Sequence, residues 1–149
     1  MHIWVDGDAC PRIIKDLLFR AAIRTQTSLI FVSNHTVLIP PSPFIQRRQV
    51  AAGFNIVDQH IIDHVQIGDL VITADIPFAD AVITAGGAAL NPRGELYTTN
   101  NIKQHLSIRN INESLRDGRM LTSGPDKLSP KVVQRFANAL DAWLAKQHK

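Results

Sequence analysis

Two carboxylates stand two residues apart near the start of this chain, at Asp6 and Asp8. The apolar run Ile3-Trp4-Val5 leads into Asp6-Gly7-Asp8, and Ala9-Cys10-Pro11 follows where a helix can begin. A buried strand gains nothing from ending in paired negative charges. Hard oxygen ligands do suit Mg²⁺, Mn²⁺ or Ca²⁺. In open α/β sheets ligands bind outside the carboxyl ends of the strands, where these acids would stand. The same side chains could also cap the helix that follows, so each acid has a structural reading beside the chemical one.

Other acids fall into the same pattern once elements are placed. The spacing predicts a first strand over 2–6 and a helix from Pro11 to about Arg24, with Ile13, Ile14, Leu17, Leu18, Ala21 and Ala22 as its apolar stripe. Residues 28–33 read Ser-Leu-Ile-Phe-Val-Ser, a strand covered on both faces. Pro40-Pro41-Ser42-Pro43 marks a rigid loop. A short helix is expected over 45–52, a third strand over 54–57 closing in Asp58, and a helix over 59–66. Gly68-Asp69 reads as a turn at the opposite edge, and a fourth strand over 70–74 stops at Asp75. A helix over 77–85 ends at Gly86-Gly87. Asn91-Pro92-Arg93-Gly94 is a turn, and Thr99 or Asn100 would cap a helix running to about Arg116. Ser129-Pro130 opens a terminal helix whose apolar face is Val132, Val133, Phe136, Leu140, Trp143 and Leu144. Strands alternating with helices imply an α/β fold, a three-layer sandwich around a mostly parallel sheet, in one domain over 1–149.

Parallel strands would bring Asp6, Asp8, Asp58 and Asp75 to one edge of that sheet. Their mutual repulsion is relieved by a bound cation. Mg²⁺ or Mn²⁺ held there can activate water and stabilise the leaving oxygen of a phosphodiester. Asp80 would lie near this rim, and Asp63 at the surface.

Bulk properties narrow the setting. The 149 residues carry a formal charge of +3, with 10 Arg against 6 Lys and 11 Asp against 2 Glu. Asp prefers caps, turns and ligand positions to helix interiors. A single cysteine excludes an internal disulfide and suits a reducing compartment. No signal-peptide pattern is visible, and no apolar run approaches the ~20 residues of a membrane span. The expectation is a cytoplasmic protein with no membrane partner. Arg47, Arg48, Arg93, Arg116, Arg119 and Lys127 are candidates for gripping phosphates. Aromatic residues make up only 6% of the chain, so no base-stacking platform is expected.

Rival chemistries are weaker. Asp6-Gly7-Asp8 and Ser33-Asn34 fit the first two motifs of a haloacid-dehalogenase-like phosphatase, but no Lys occurs between Lys15 and Lys103. Cys10 has carboxylate neighbours that oppose a thiolate. His60 and His64 share a helical face without a signalled third ligand. Gly86-Gly87 lacks the Lys-Ser/Thr of a phosphate-binding loop.

Three segments carry a family resemblance: Val5 to Pro11, Gly68 to Pro77, and Arg119 with Gly124-Pro125 before the terminal helix. They resemble the YaiI/YqxD family of uncharacterised bacterial proteins across essentially the whole chain. That pattern in turn resembles PIN-like and NYN ribonuclease domains, in which an early strand ends in an acid and Thr-x-Asp closes a later one. The resemblance implies a PIN-like fold with Asp6 and Asp75 as metal-binding acids. It places Asp8 at a polar position of NYN-type domains and Asp58 at the start of the helix before the Asp75 strand. The usual Glu of an earlier helix is missing; Asp16 is the only acid in the first helix. Together these readings point to a ribonuclease using Mg²⁺ or Mn²⁺, with Asp6, Asp8 and Asp75 catalytic, Asp58 completing the metal set, and Arg47, Arg48, Arg119 and Lys127 holding RNA. The alternatives are a non-catalytic nucleic-acid-binding module, favoured by the missing Glu, and the phosphatase.

Overall fold

The computed structural model describes residues 1–53, 55–107 and 128–147. Six strands form one sheet: β1 (His2–Asp6), β2 (Ser28–Ser33), β3 (Ile45–Gln49), β4 (Leu70–Ile72), β5 (Ala88–Leu90) and β6 (Leu96–Tyr97). Their order is β3-β2-β1-β4-β5-β6. The first five in that order run parallel, and β6 closes the edge antiparallel to β5. The helices are α1 (Arg12–Thr25), α2 (Ile56–His64), α3 (Ile76–Thr84), α4, described over 102–107, and α5 (Pro130–Gln147).

Period-two alternation sorts the central strands onto two apolar faces. Ile3, Val5, Leu29, Phe31, Leu70 and Ile72 pack with Ile14 and Leu18 of α1 and with Phe136 and Leu140 of α5. Trp4, Ile30, Val32 and Val71 point the other way, onto Val57 and Ile61 of α2 and Phe78 and Val82 of α3. Covering both faces is what lets a parallel sheet persist, and it explains why β2 reads as an unbroken apolar run.

Two elements differ from expectation. Residues 45–49 form a strand, not the start of a helix. This is the sheet edge, where only Ile45 is buried and Gln46, Arg47 and Gln49 face solvent. Charged edge residues block further strand pairing, and here they imitate a helical surface. The expected strand over 54–57 is instead the entry to α2, since helix begins at Ile56 and buries Val57 and Ile61 four apart. Asp58 therefore stands in the first turn of a helix, not at a strand end. The fourth strand is shorter than expected, because after Ile72 the chain makes one more sheet bond, Thr73 N–H to Leu90 O at 3.0 Å, and turns. The cap of α4 is Thr98, which exchanges bonds with Asn101 at 2.7 and 3.2 Å. The expected course of that helix to Arg116 lies outside the described residues.

Asp69 does more than turn the chain. It is 1% exposed and accepts from His2 N at 2.9 Å, Trp4 Nε1 at 3.0 Å and Gln66 N at 2.9 Å. It thereby ties the entry of β1 to that of β4. No helix among the described residues is long and apolar enough to cross a membrane.

Candidate functional site

Strand β1 feeds α1 and then β2 on one side, whereas β4 feeds α3 and then β5 on the other. The connections part between β1 and β4, and such a switch point opens a crevice beyond the carboxyl ends of the strands. A cavity of about 170 Å³ lies there, lined by Asp6, Cys10, Asp58, Thr73, Asp75 and Pro92 among others.

Local chain chemistry positions each acid. Asp6 ends β1, and its Oδ1 accepts from Asp8 N at 3.0 Å and Ala9 N at 3.3 Å. Burial raises its pKa; the two N–H donors pull against that, and the charges of Asp8 and Asp75 add to it. Asp75 is the N-cap of α3, with Oδ1 accepting from Phe78 N at 3.1 Å and Pro77 in the first turn. Its own N–H donates to Thr73 Oγ1 at 3.0 Å, which fixes the turn out of β4. Asp58 comes in from α2. Burial, then Asp75, then Asp6 push its carboxyl up to about 6.

Capping accounts for one oxygen each of Asp6 and Asp75. It leaves their Oδ2 atoms without a hydrogen bond among the described residues, and it does not account for Asp58, whose carboxyl has no hydrogen bond or ion pair there at all. Asp75 strengthens proton binding at both Asp6 and Asp58, and Asp6 adds to it at Asp58, in a concave site with no described cation to offset them. Such an arrangement suits a divalent cation. Among the described residues, however, no three His, Cys, Asp or Glu side chains lie close enough together to hold a metal ion by themselves.

Asp8 points elsewhere. Its Oδ2 accepts from Asn34 N at 2.8 Å and its Oδ1 pairs with His35 Nδ1 at 3.1 Å, so it faces the loop after β2 and reaches the cavity only through its charge on Asp6. Spacing could not have revealed this pair, which joins residues 27 apart. Asp80, on α3, does not line the cavity.

The basic residues expected to grip phosphate are dispersed. Arg47 Nη1 donates to Val37 O at 3.0 Å, and the Arg48 guanidinium lies 5.2 Å from the Trp4 ring centre with Nη1 3.4 Å from His60 Nε2. Both belong to β3, two strands away from β1. Arg93 is exposed beside Pro92. Arg116, Arg119 and Lys127 lie outside the described residues, as do Gly124 and Pro125.

Cys10 is buried, and burial pushes its thiol up to about 12, which suits a packed side chain and not a nucleophile. The rings of His60 and His64 stack at 4.3 Å, and burial, His64 and Arg48 lower the His60 pKa against the pull of Asp63.

The family model described as the uncharacterized BCR, YaiI/YqxD family matches residues 4–146. The chain belongs to the YaiI/YqxD family. It is 57% identical over 146 residues to a UPF0178 protein of Legionella pneumophila (strain Lens), covering 98% of this chain and 99% of that one. It is 52% identical over 149 residues to a UPF0178 protein of Pectobacterium carotovorum subsp. carotovorum (strain PC1), covering 100% and 99%. A UPF0178 protein of Shewanella sp. (strain MR-4) is 54% identical over 144 residues, covering 97% and 96%. No solved structure matches the chain. The YaiI/YqxD match spans every acid at the switch point.

Proposed function

We propose that this YaiI/YqxD protein hydrolyses phosphodiester bonds in RNA with Mg²⁺ or Mn²⁺, on a PIN-like three-layer fold. The observation that carries the reading is the Asp58 carboxyl. It is partnerless among the described residues and pushed up to about 6 by burial and by Asp75 and Asp6, in a cavity at the sheet's switch point. The donor set is all hard oxygen. Mg²⁺ needs only one or two carboxylates because it keeps several waters and takes further oxygens from substrate phosphate. Asp6 and Asp75 would hold it through Oδ2 while Oδ1 goes on serving the backbone. Asp58 would act through a bridging water, and Asp8 through its field. When bound, the ion supplies Lewis-acid polarisation of the phosphodiester and lowers the pKa of attached water. The chain itself fixes Asp6 through two amides and Asp75 through Phe78 N–H and Thr73, so these oxygens are held in place before an ion arrives.

A second reading, a non-catalytic nucleic-acid-binding module, is favoured by the lack of three metal-holding side chains among the described residues. The phosphatase reading is weakened because Asp8 turns onto Asn34 and His35, and the Ser33 hydroxyl is buried, donating to His35 O at 2.5 Å. The test is Mn²⁺-dependent cleavage of mixed single-stranded and structured RNA beside a generic phosphatase substrate. The expected result is RNA cleavage that falls at least about a hundredfold in Asp6→Asn, the size of effect seen when a group stabilising transition-state charge is lost. Equal rates for wild type and variant would reject catalysis, and turnover of only the phosphatase substrate would move the assignment there.

A further inference from the structure

The turn from Asp6 to Cys10 has a second side. Away from the acidic cavity it forms a wall of a larger cleft, about 460 Å³, between the start of α1 and the loop after β2. That volume lies in the range of ligand-binding pockets. Arg12 and Lys15, three apart on one face of α1, line it together with His35 and Leu38. Neither cation has an ion-pair or hydrogen-bond partner for its side-chain head among the described residues, in contrast to Arg24, which holds Asp141 at 2.6 Å, and Arg47, which holds Val37 O. Of the two acids that line the cleft among the described residues, Asp8 is already engaged by Asn34 N and His35, which leaves Asp16 as the only opposing charge there free of a side-chain partner. The two sites are close neighbours. Asp6, Ala9 and Cys10 line one while Gly7 and Asp8 line the other, and the Lys15 charge acts on Cys10. The cleft is also firmly built, since a Cβ on Gly7 would meet Val37 Cγ2 at 2.9 Å, so turn and loop are in close contact. Leu38, 86% exposed, adds an apolar surface at the rim.

We infer that this cleft binds the phosphodiester backbone of a single RNA strand, with Arg12 and Lys15 gripping phosphates next to the acidic cavity. The inference rests on the proposed RNA substrate but not on catalysis. It assigns the grip to α1 in place of Arg47 and Arg48 on β3, whose guanidinium groups are already engaged. Point charges and Arg forks on a rigid helix read backbone without reading sequence. His35, oriented by Asp8, lies in the same cleft and can meet a sugar or phosphate oxygen through Nε2.

The test is fluorescence anisotropy of a labelled single-stranded RNA oligomer in EDTA, where hydrolysis cannot intrude, titrated at several salt concentrations. Wild type, Arg12→Ala/Lys15→Ala and Arg47→Ala/Arg48→Ala are compared, with thermal melts run alongside. The inference expects the α1 variant to melt like wild type, to bind about tenfold or more weakly, and to lose about 1.4 from the slope of log K against log salt, about 0.7 for each phosphate contact on a single strand. The β3 variant should bind like wild type. Unchanged affinity and slope in the α1 variant, or no binding by wild type, would overturn it. Displacement of the oligomer by uridine monophosphate at equal concentration would overturn the strand in favour of a small phosphate ligand. A protein that binds through α1 but cleaves nothing with Mn²⁺ would sink the nuclease reading and leave the cleft standing.

Discussion

Asp69 and Asp58 are the same residue type serving opposite ends of one sheet. At the entry edge, Asp69 is buried and saturated by three N–H donors, so its charge is spent on joining β1 to β4. At the exit edge, Asp58 has no such donors among the described residues and sits in the fields of Asp6 and Asp75. A fully satisfied buried carboxylate is structural. An unsatisfied one held among like charges lowers stability and persists only where something else uses it. The first end holds the fold together, and the second is available for binding.

This contrast predicts effects of different size. Asp69→Ala leaves the buried Trp4 Nε1–H and the part-buried His2 and Gln66 amides without their acceptor and should cost roughly 3–5 kcal/mol, read by urea unfolding. A loss below about 1 kcal/mol would erase the distinction between the two ends. The acidic end should show the opposite sign. Asp58 binds its proton more tightly folded (about 6) than unfolded (about 3.9), so the native state holds more protons in between. Stability should therefore fall as pH rises from about 4 through about 6, then flatten, by about 1 kcal/mol once the partial exposure of the group is allowed for. Asp58→Asn should shrink that slope and stabilise the protein near neutrality. A wild-type curve that rises over the same window would mean that the carboxyl is paired after all. The smallest effect concerns Asp75. Asn caps a helix about as well as Asp, so Asp75→Asn should change stability by less than about 0.5 kcal/mol, whereas Asp75→Ala should cost about 1 kcal/mol. Asn and Ala behaving alike would show that the cap contributes nothing.

The central sheet could be read from the sequence where both faces are apolar, as in β1, β2 and β4. It could not be read at β3, because an edge strand is free to carry Gln46, Arg47 and Gln49, residues equally at home on a helix. The run Ile56-Val57 was ambiguous for another reason: a short apolar stretch does not reveal its own period. Asp6 and Asp75 were legible as acids that end strands and begin turns. Asp58 reaches the same cavity from a helix. The role of Asp69 was hidden because its partners, His2 and Trp4, lie 67 and 65 residues away. The pairing of Asp8 with His35 was hidden for the same reason, and it moves Asp8 from the acidic cavity to the neighbouring cleft.

The account turns on whether Asp6, Asp58 and Asp75 bind a divalent cation. Titration of the protein with Mn²⁺ near neutral pH, with free Mn²⁺ followed by electron paramagnetic resonance, tests this without any assumption about substrate. Saturable Mn²⁺ uptake by wild type, lost in Asp6→Asn/Asp75→Asn while the melting temperature holds, is the predicted result. No uptake by wild type, or the same uptake by the double variant, would contradict it.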